Sequence, residues 1–117
     1  MAVTPIAKRS FQGAWVLGWD LVSGETGTAI NVAAWPDKTV LISGTFSTGA
    51  VSIEGALDIT TPVYAPLRDL PGNAVTAKTA LYFEVLQQHC ALIRAVATTV
   101  TLVSIRIMCS AARNRTA

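Results

Sequence analysis

Lys38 to Asp58 reads KTVLISGTFSTGAVSIEGALD, and the reading of this stretch decides the fold class. Side chains of a strand point alternately to opposite faces. Val40, Ile42 and Phe46 therefore share one face of a first arm, and Val51, Ile53 and Leu57 share one face of a second. Thr39, Ser43, Thr45, Ser52 and Glu54 take the opposite faces. A reversal at Ser47-Thr48-Gly49-Ala50 joins the arms as one long hairpin. It pairs Phe46 with Val51, Gly44 with Ile53, Ile42 with Gly55 and Val40 with Leu57. Each glycine then stands opposite an isoleucine, and a one-residue slip would turn a whole arm over. The outer face offers almost no catalytic chemistry, which points to a protein that works by its shape and surface.

Working outward, similar strands recur. Ala14 to Val22 alternates around Trp15, Leu17 and Trp19 and predicts a strand, with a turn over Ser23 to Gly27. Thr28 to Ala33 is a short strand with Ala29 and Ile30 as core candidates. Trp35-Pro36-Asp37 is a corner, because proline presets φ and aspartate bonds the backbone beyond it. Pro62, Pro66 and Pro71 exclude a central strand or helix interior over Ile59 to Pro71. An edge strand near Val63 to Leu67 and a turn over Leu70 to Asn73 remain. Leu81 to Gln88 fits either a strand or a short helix, and the strand is preferred. Cys90 to Ala97 and Val100 to Cys109 are strands separated by a reversal at Thr98-Thr99. The last puts Val103, Ile105, Ile107 and Cys109 on one face and Leu102, Ser104 and Arg106 on the other. Short strands so punctuated predict an all-β, two-sheet antiparallel β-sandwich, jelly-roll-like, over residues 14–110. An extended N-terminal arm over residues 1–13, ordered where it docks, and a polar C-terminal tail over 111–117 complete the chain.

With 117 residues the chain forms one domain whose core needs neither disulfide nor metal. Charged residues are 14% of the chain, against about 25% in an average globular protein. Hydrophobic residues are 51%, more than one small core absorbs, so a partner or further copies are expected to cover part of the surface. A net charge of +2 argues against nucleic acid as a specific partner. Cys90 and Cys109 do not make a disulfide framework. Both lie in apolar runs and read as reduced in a cytoplasm, although a bridge stays geometrically open if their strands are adjacent. No stretch is long and apolar enough to span a membrane. Phe11 to Trp19 stops at Asp20 and is not read as a leader.

Chemistry-bearing patterns are sparse. His89 is the single histidine, with no G-x-S-x-G elbow to serve. His89, Cys90 and Cys109 have the wrong spacing for zinc, and the scattered acids form no calcium loop. Glu54 and Asp58 fall on one polar strand face, which reads as a solvated face rather than a glycosidase pair. No enzyme activity, cofactor or metal is expected.

Three stretches carry a family resemblance: TGTAINVAAWPDKTVLISGTFSTGAVSIEGALD, PLRDLPGNAVT and CALIRAVATTVTLVSIRI. Together they resemble the small decoration (cement) proteins of tailed bacteriophages. The shared features are the Trp35-Pro36-Asp37 corner, the Val40–Phe46 strand, the Val51–Asp58 strand, the Leu67–Asn73 turn and the Ile93-Arg94 strand. The chain departs from the pattern at Thr98-Thr99, where a glycine-rich reversal is expected, and over Ile59 to Tyr64. The resemblance implies a homo-oligomer, dimer or trimer, on the outside of a virion, folded in the host cytoplasm and clamping the major capsid protein lattice. Shell contacts are expected at Thr4, Pro5, Ile6, Lys8, Arg9 and Phe11 of the arm and at Arg113 and Arg115 of the tail. Trp15, Trp19 and Trp35 are expected to pack in the core or at an oligomer or partner interface, and the interface is the assignment made. The alternative is a head-fibre or tail-tip module that binds host-surface carbohydrate.

Overall fold

The computed structural model of the chain describes residues 2–9 and 14–110. In chain order the strands are β1 (Ala2–Val3), β2 (Ile6–Arg9), β3 (Trp15–Leu21), β4 (Thr26–Gly27), β5 (Ile30–Asn31), β6 (Asp37–Thr45), β7 (Ala50–Ala56), β8 (Ala65–Pro66), β9 (Tyr82–Leu86), β10 (Leu92–Thr98) and β11 (Leu102–Ser110). They build two sheets. One runs β1-β4-β10-β7-β8, with β5 also on β10, and the other runs β2-β3-β11-β6-β9. All pairings are antiparallel except β1 on β4. The chain is thus an all-β, jelly-roll-like two-sheet sandwich.

The Lys38–Asp58 stretch is not a hairpin. β6 lies in the five-stranded sheet between β11 and β9, and β7 lies in the other sheet between β10 and β8. The reversal is a corner that carries the chain across the sandwich. Alternation states which side chains are buried, and a corner buries the same ones as a hairpin does. Val40 and Ile42 come from one sheet, Val51 and Ile53 from the other, and all four are fully enclosed. The small-faces-large pairings exist, but with other strands: Gly44 stands opposite Val103 and Gly55 opposite Ile93. Leu57 is 82% exposed, because β7 ends at Ala56 and the chain leaves the sheet there.

The orders of the two sheets follow one rule. β1 continues into β2, β3 into β4, β6 into β7 and β10 into β11, and each pair occupies matching places in opposite sheets. Two of these crossings stack directly. Ser47 Oγ lies 2.6 Å from Thr101 Oγ1, and the Thr101 N–H donates to Thr45 O at 3.1 Å. Gly49 is required there, since a Cβ would stand 1.8 Å from Thr98 O. Ser47 and Thr99, one in each corner, have φ of 54° and 53°.

Between the sheets lies one core. Trp19, Leu21, Val32, Val40, Ile42, Val51, Ile53, Val75, Ile93, Val103, Ile105 and Ile107 are fully buried in it. Burying each such side chain contributes roughly 1.5–3 kcal/mol. Trp19 is a correction to the expected interface: its indole is 0% exposed, and its Nε1–H donates to Thr28 O at 2.9 Å. Leu81 to Gln88 resolves as a strand over β9. The arm does not stand apart from the sandwich. β1 extends one sheet and β2 the other, pairing Ile6 with Gly18 and Arg9 with Trp15.

Candidate docking surfaces

Two regions of the described surface carry most of the large apolar residues that the core does not absorb. The first lies at the end of the sandwich opposite the stacked corners. Beyond Ala56 the chain makes a loop that Asp58 fixes. Its carboxylate accepts the N–H of Thr60 at 2.8 Å, that of Thr61 at 3.4 Å, and the Thr61 hydroxyl at 3.0 Å. These bonds, the Thr60 one foremost, hold the Asp58 carboxyl below its usual range. Leu57, Ile59 and Val63 project from the loop. Behind them is a groove of about 250 Å³ walled chiefly by Leu57, Val63, Pro66, Leu67 and Cys90. Gly55 makes room for the Leu67 and Cys90 side chains: a Cβ there would meet Leu67 Cδ2 at 2.7 Å and Cys90 Sγ at 3.0 Å.

His89 separates this groove from a second, of about 380 Å³, lined by Pro36, Asp37, Leu70, Val85, Leu86 and Gln87. The ring is exposed, and Nε2 lies 2.7 Å from Ala33 O. A carbonyl only accepts, so Nε2 carries the proton. Among the described residues no group of three His, Cys, Asp or Glu side chains converges on a point that could hold a metal ion. Glu54 and Asp58 do separate work. Glu54 pairs with Arg94 at 2.9 Å while Asp58 caps its own loop.

The second region is the outer face of the five-stranded sheet. Its register aligns Ile6, Gly18, Arg106, Leu41 and Phe83 in one row across the strands. Lys8, Val16, Met108, Thr39 and Val85 form the next row. Phe83 is 65% exposed, and Met108 and Ile6 are also exposed. Arg106 lies flat on this face. It donates to the carbonyls of Trp19 and Ile105 at 3.1 and 3.0 Å and meets Asp20 at 3.0 Å. The outer face of the other sheet is polar and self-satisfied. Arg94 pairs with Glu54 and lies 3.7 Å over the Tyr64 ring, and Ser52 bonds Thr76 at 3.2 Å.

The residues expected to touch partners are scattered. Thr4 and Pro5 carry the chain between the sheets, Ile6 lies on the apolar face, and Lys8 and Arg9 sit in edge strand β2. Phe11, Arg113 and Arg115 fall outside the described residues. Trp15 and Trp35 are half-buried at the sandwich end, with ring centroids 6.4 Å apart. Sequence reasoning missed the apolar outer sheet face. Its signal was there: in Leu81 to Leu86, residues of both parities are apolar, the mark of a strand covered on both faces.

Both thiols are buried and free. Burial pushes the Cys109 thiol up to about 11 and also raises Cys90, each partly offset by the Lys38 ammonium. Lys38 is itself 1% exposed, with Nζ 3.2 Å from Trp35 O and 3.5 Å from Pro36 O. It therefore ties down the corner that the sequence placed at Trp35-Pro36-Asp37.

No protein-family model matches the chain, and no curated protein does. A solved cupin domain from Bordetella pertussis Tohama I is similar at 12% identity and a TM-score of 0.46, covering 96% of this chain and 95% of that one.

Proposed function

We propose that the chain is a structural protein that links larger subunits, and specifically a decoration (cement) protein on the outside of a tailed-phage head. Two things support the reading: the resemblance carried by the Trp35–Asp58, Leu67–Asn73 and Ile93-Arg94 motifs, and the presence of two separate apolar surfaces on one rigid sandwich. The observation that carries it is the projecting loop, where Leu57 and Val63 are each 82% exposed above an apolar groove. An isolated exposed leucine means little, but a cluster beside a groove marks a binding surface. Each copy would hide this loop against the major capsid protein and strengthen the shell by many small burials held in one lattice.

The test is co-sedimentation of the purified chain with expanded and unexpanded heads. Binding to expanded heads, with a gain in heat resistance, is the expected result. Leu57→Asp with Val63→Asp should weaken binding at least about tenfold. No binding to either form would end this reading.

A second reading, a head-fibre or tail-tip module that binds host carbohydrate, draws on the half-buried Trp15–Trp35 pair. A sugar stacked there would change tryptophan fluorescence, and a glycan panel checks it. The platform cannot include Trp19, which lies in the core.

A further inference from the structure

We infer that the N-terminal arm is a strap closing one edge of each sheet, and that the β3 edge beneath it is a strand-addition site for an extended peptide. A sheet edge offers unpaired N–H and C=O groups to other strands, and folds cover, shorten or charge such edges. The two sheets end together on each side of the sandwich, in β8 and β9 on one side and in β1 and β2 on the other. β8 is two residues long and ends in Pro66, which has no N–H to offer. β9 is covered in part by the chain before it: the Leu70 N–H donates to Val85 O at 2.9 Å, and Asp69 bridges Leu86. On the other side the arm does both tasks. β1 lies on β4, pairing Ala2 with Thr26 and Val3 with Gly27, and Val3 O accepts the Thr28 N–H at 2.8 Å. After Thr4 and Pro5 the same arm crosses to the other sheet and lays β2 along Trp15 to Gly18 of β3.

The edge under the arm needs cover. β3 reads WVLGWDL, seven residues with one charge and no proline. A segment of that kind, rich in β-formers and nearly uncharged, adds readily to another strand. The arm replaces it at the edge with the four-residue strand IAKR, whose last two residues are basic. Short, charged edges resist further pairing. The arm is also held lightly. Among its described side chains Val3 packs against the core, whereas Thr4, Ile6 and Ala7 are exposed. Backbone pairing therefore carries most of its attachment to β3. Main-chain hydrogen bonds of this sort are what any extended peptide can supply to an open edge. β2 thus occupies the site in the manner of a tethered ligand, and the tether gives it the advantage over a free competitor.

Ile6→Pro with Ala7→Pro in the full chain removes both N–H groups, whichever of them faces β3, and should free the arm. A labelled peptide AVTPIAKR, the sequence of residues 2–9, should then bind the variant at least about tenfold more tightly than it binds the parent, whose edge is occupied. The variant should also associate through the open edge, and excess peptide should suppress that association. In the unmodified chain, the Trp15–Gly18 amides that face β2 should exchange hydrogen at least about tenfold faster than the β11 amides, because the arm opens while the sandwich stays closed. If the variant fails to fold, this measurement on the parent decides. Equal exchange at the two places overturns the inference. So does equal binding of the peptide to variant and parent, or association of the variant that the peptide leaves unchanged. The inference does not depend on the capsid reading. A chain that ignores phage heads sinks only that reading, and an arm that never opens sinks only this one.

Discussion

The phenolic hydroxyl of Tyr82 donates to the Asp69 carboxylate at 2.7 Å, tying the excursion between β8 and β9 to the edge of the five-stranded sheet. Asp69 also accepts the Asn73 N–H at 2.8 Å, and the Lys78 ammonium lies 4.6 Å over the Tyr82 ring. One carboxylate thus holds both the Leu70–Asn73 turn and the neighbouring strand.

This lock has a pH window. The Tyr82 hydrogen bond, with help from Asn73 and Lys78, holds the Asp69 carboxyl below its usual range. Its contribution is present above the unfolded carboxylate pKa, roughly 4, and fades as pH falls through the lower folded value. Burial and the Asp69 carboxylate raise the Tyr82 phenol. Its contribution is full below the unfolded phenol pKa, roughly 10, and fades as pH rises. Urea midpoints measured across pH should fall at both ends. Tyr82→Phe should lower the plateau and flatten the alkaline limb, and an unchanged alkaline limb would remove Tyr82 from the account.

Gly49→Ala should be one of the costliest single-methyl changes in the chain. The added carbon meets the Thr98 carbonyl, which belongs to backbone and cannot rotate away. A loss of about 1–3 kcal/mol is expected from overpacking of this kind. Chemical denaturation of the variant measures it, and a loss under about 0.5 kcal/mol would mean that the stacked corners move freely.

Cys90 and Cys109 should stay silent toward a thiol reagent at neutral pH in the native state. Both are buried, and burial raises both thiol pKa values. Thiolate is the reacting form, so little of it exists and little of it is reachable. Both thiols should label on addition of denaturant, in step with loss of the near-ultraviolet signal. Fast labelling of either one in buffer would contradict the burial.

Ile105→Ala and Glu54→Gln should separate the core from the surface. Ile105 is fully buried in the middle of β11, and truncation should cost about 2–5 kcal/mol. The Glu54–Arg94 pair is partly exposed, and neutralising it should cost at most about 1 kcal/mol, less in high salt. Denaturation midpoints of the two variants, read side by side, test the ranking.

Burial was legible in the letters, and pairing was not. Val103, Ile105, Ile107 and Cys109 face inward as their parity demands. Parity is blind to the partner strand, so a chain that crosses between sheets looks like one that folds back within a sheet. The hairpin reading failed on that point alone. Leu57 has the inward parity but lies one residue past the end of β7. Trp15 and Trp19 share a parity, yet only Trp19 is sealed in, because the Thr28 carbonyl and Gly27 come from another strand to meet it. The docking surfaces were half legible. The surplus of apolar residues announced that some surface exists, whereas its place depended on tertiary register.

The matched order of the crossings also governs how this molecule comes apart. These crossings tie strands of one layer to strands of the other, so neither layer is a free-standing unit that peels away whole. Pairs such as β3 with β11 join distant parts of the chain, and closing them is slow. Assembly should be gradual and loss abrupt, with the two layers vanishing together.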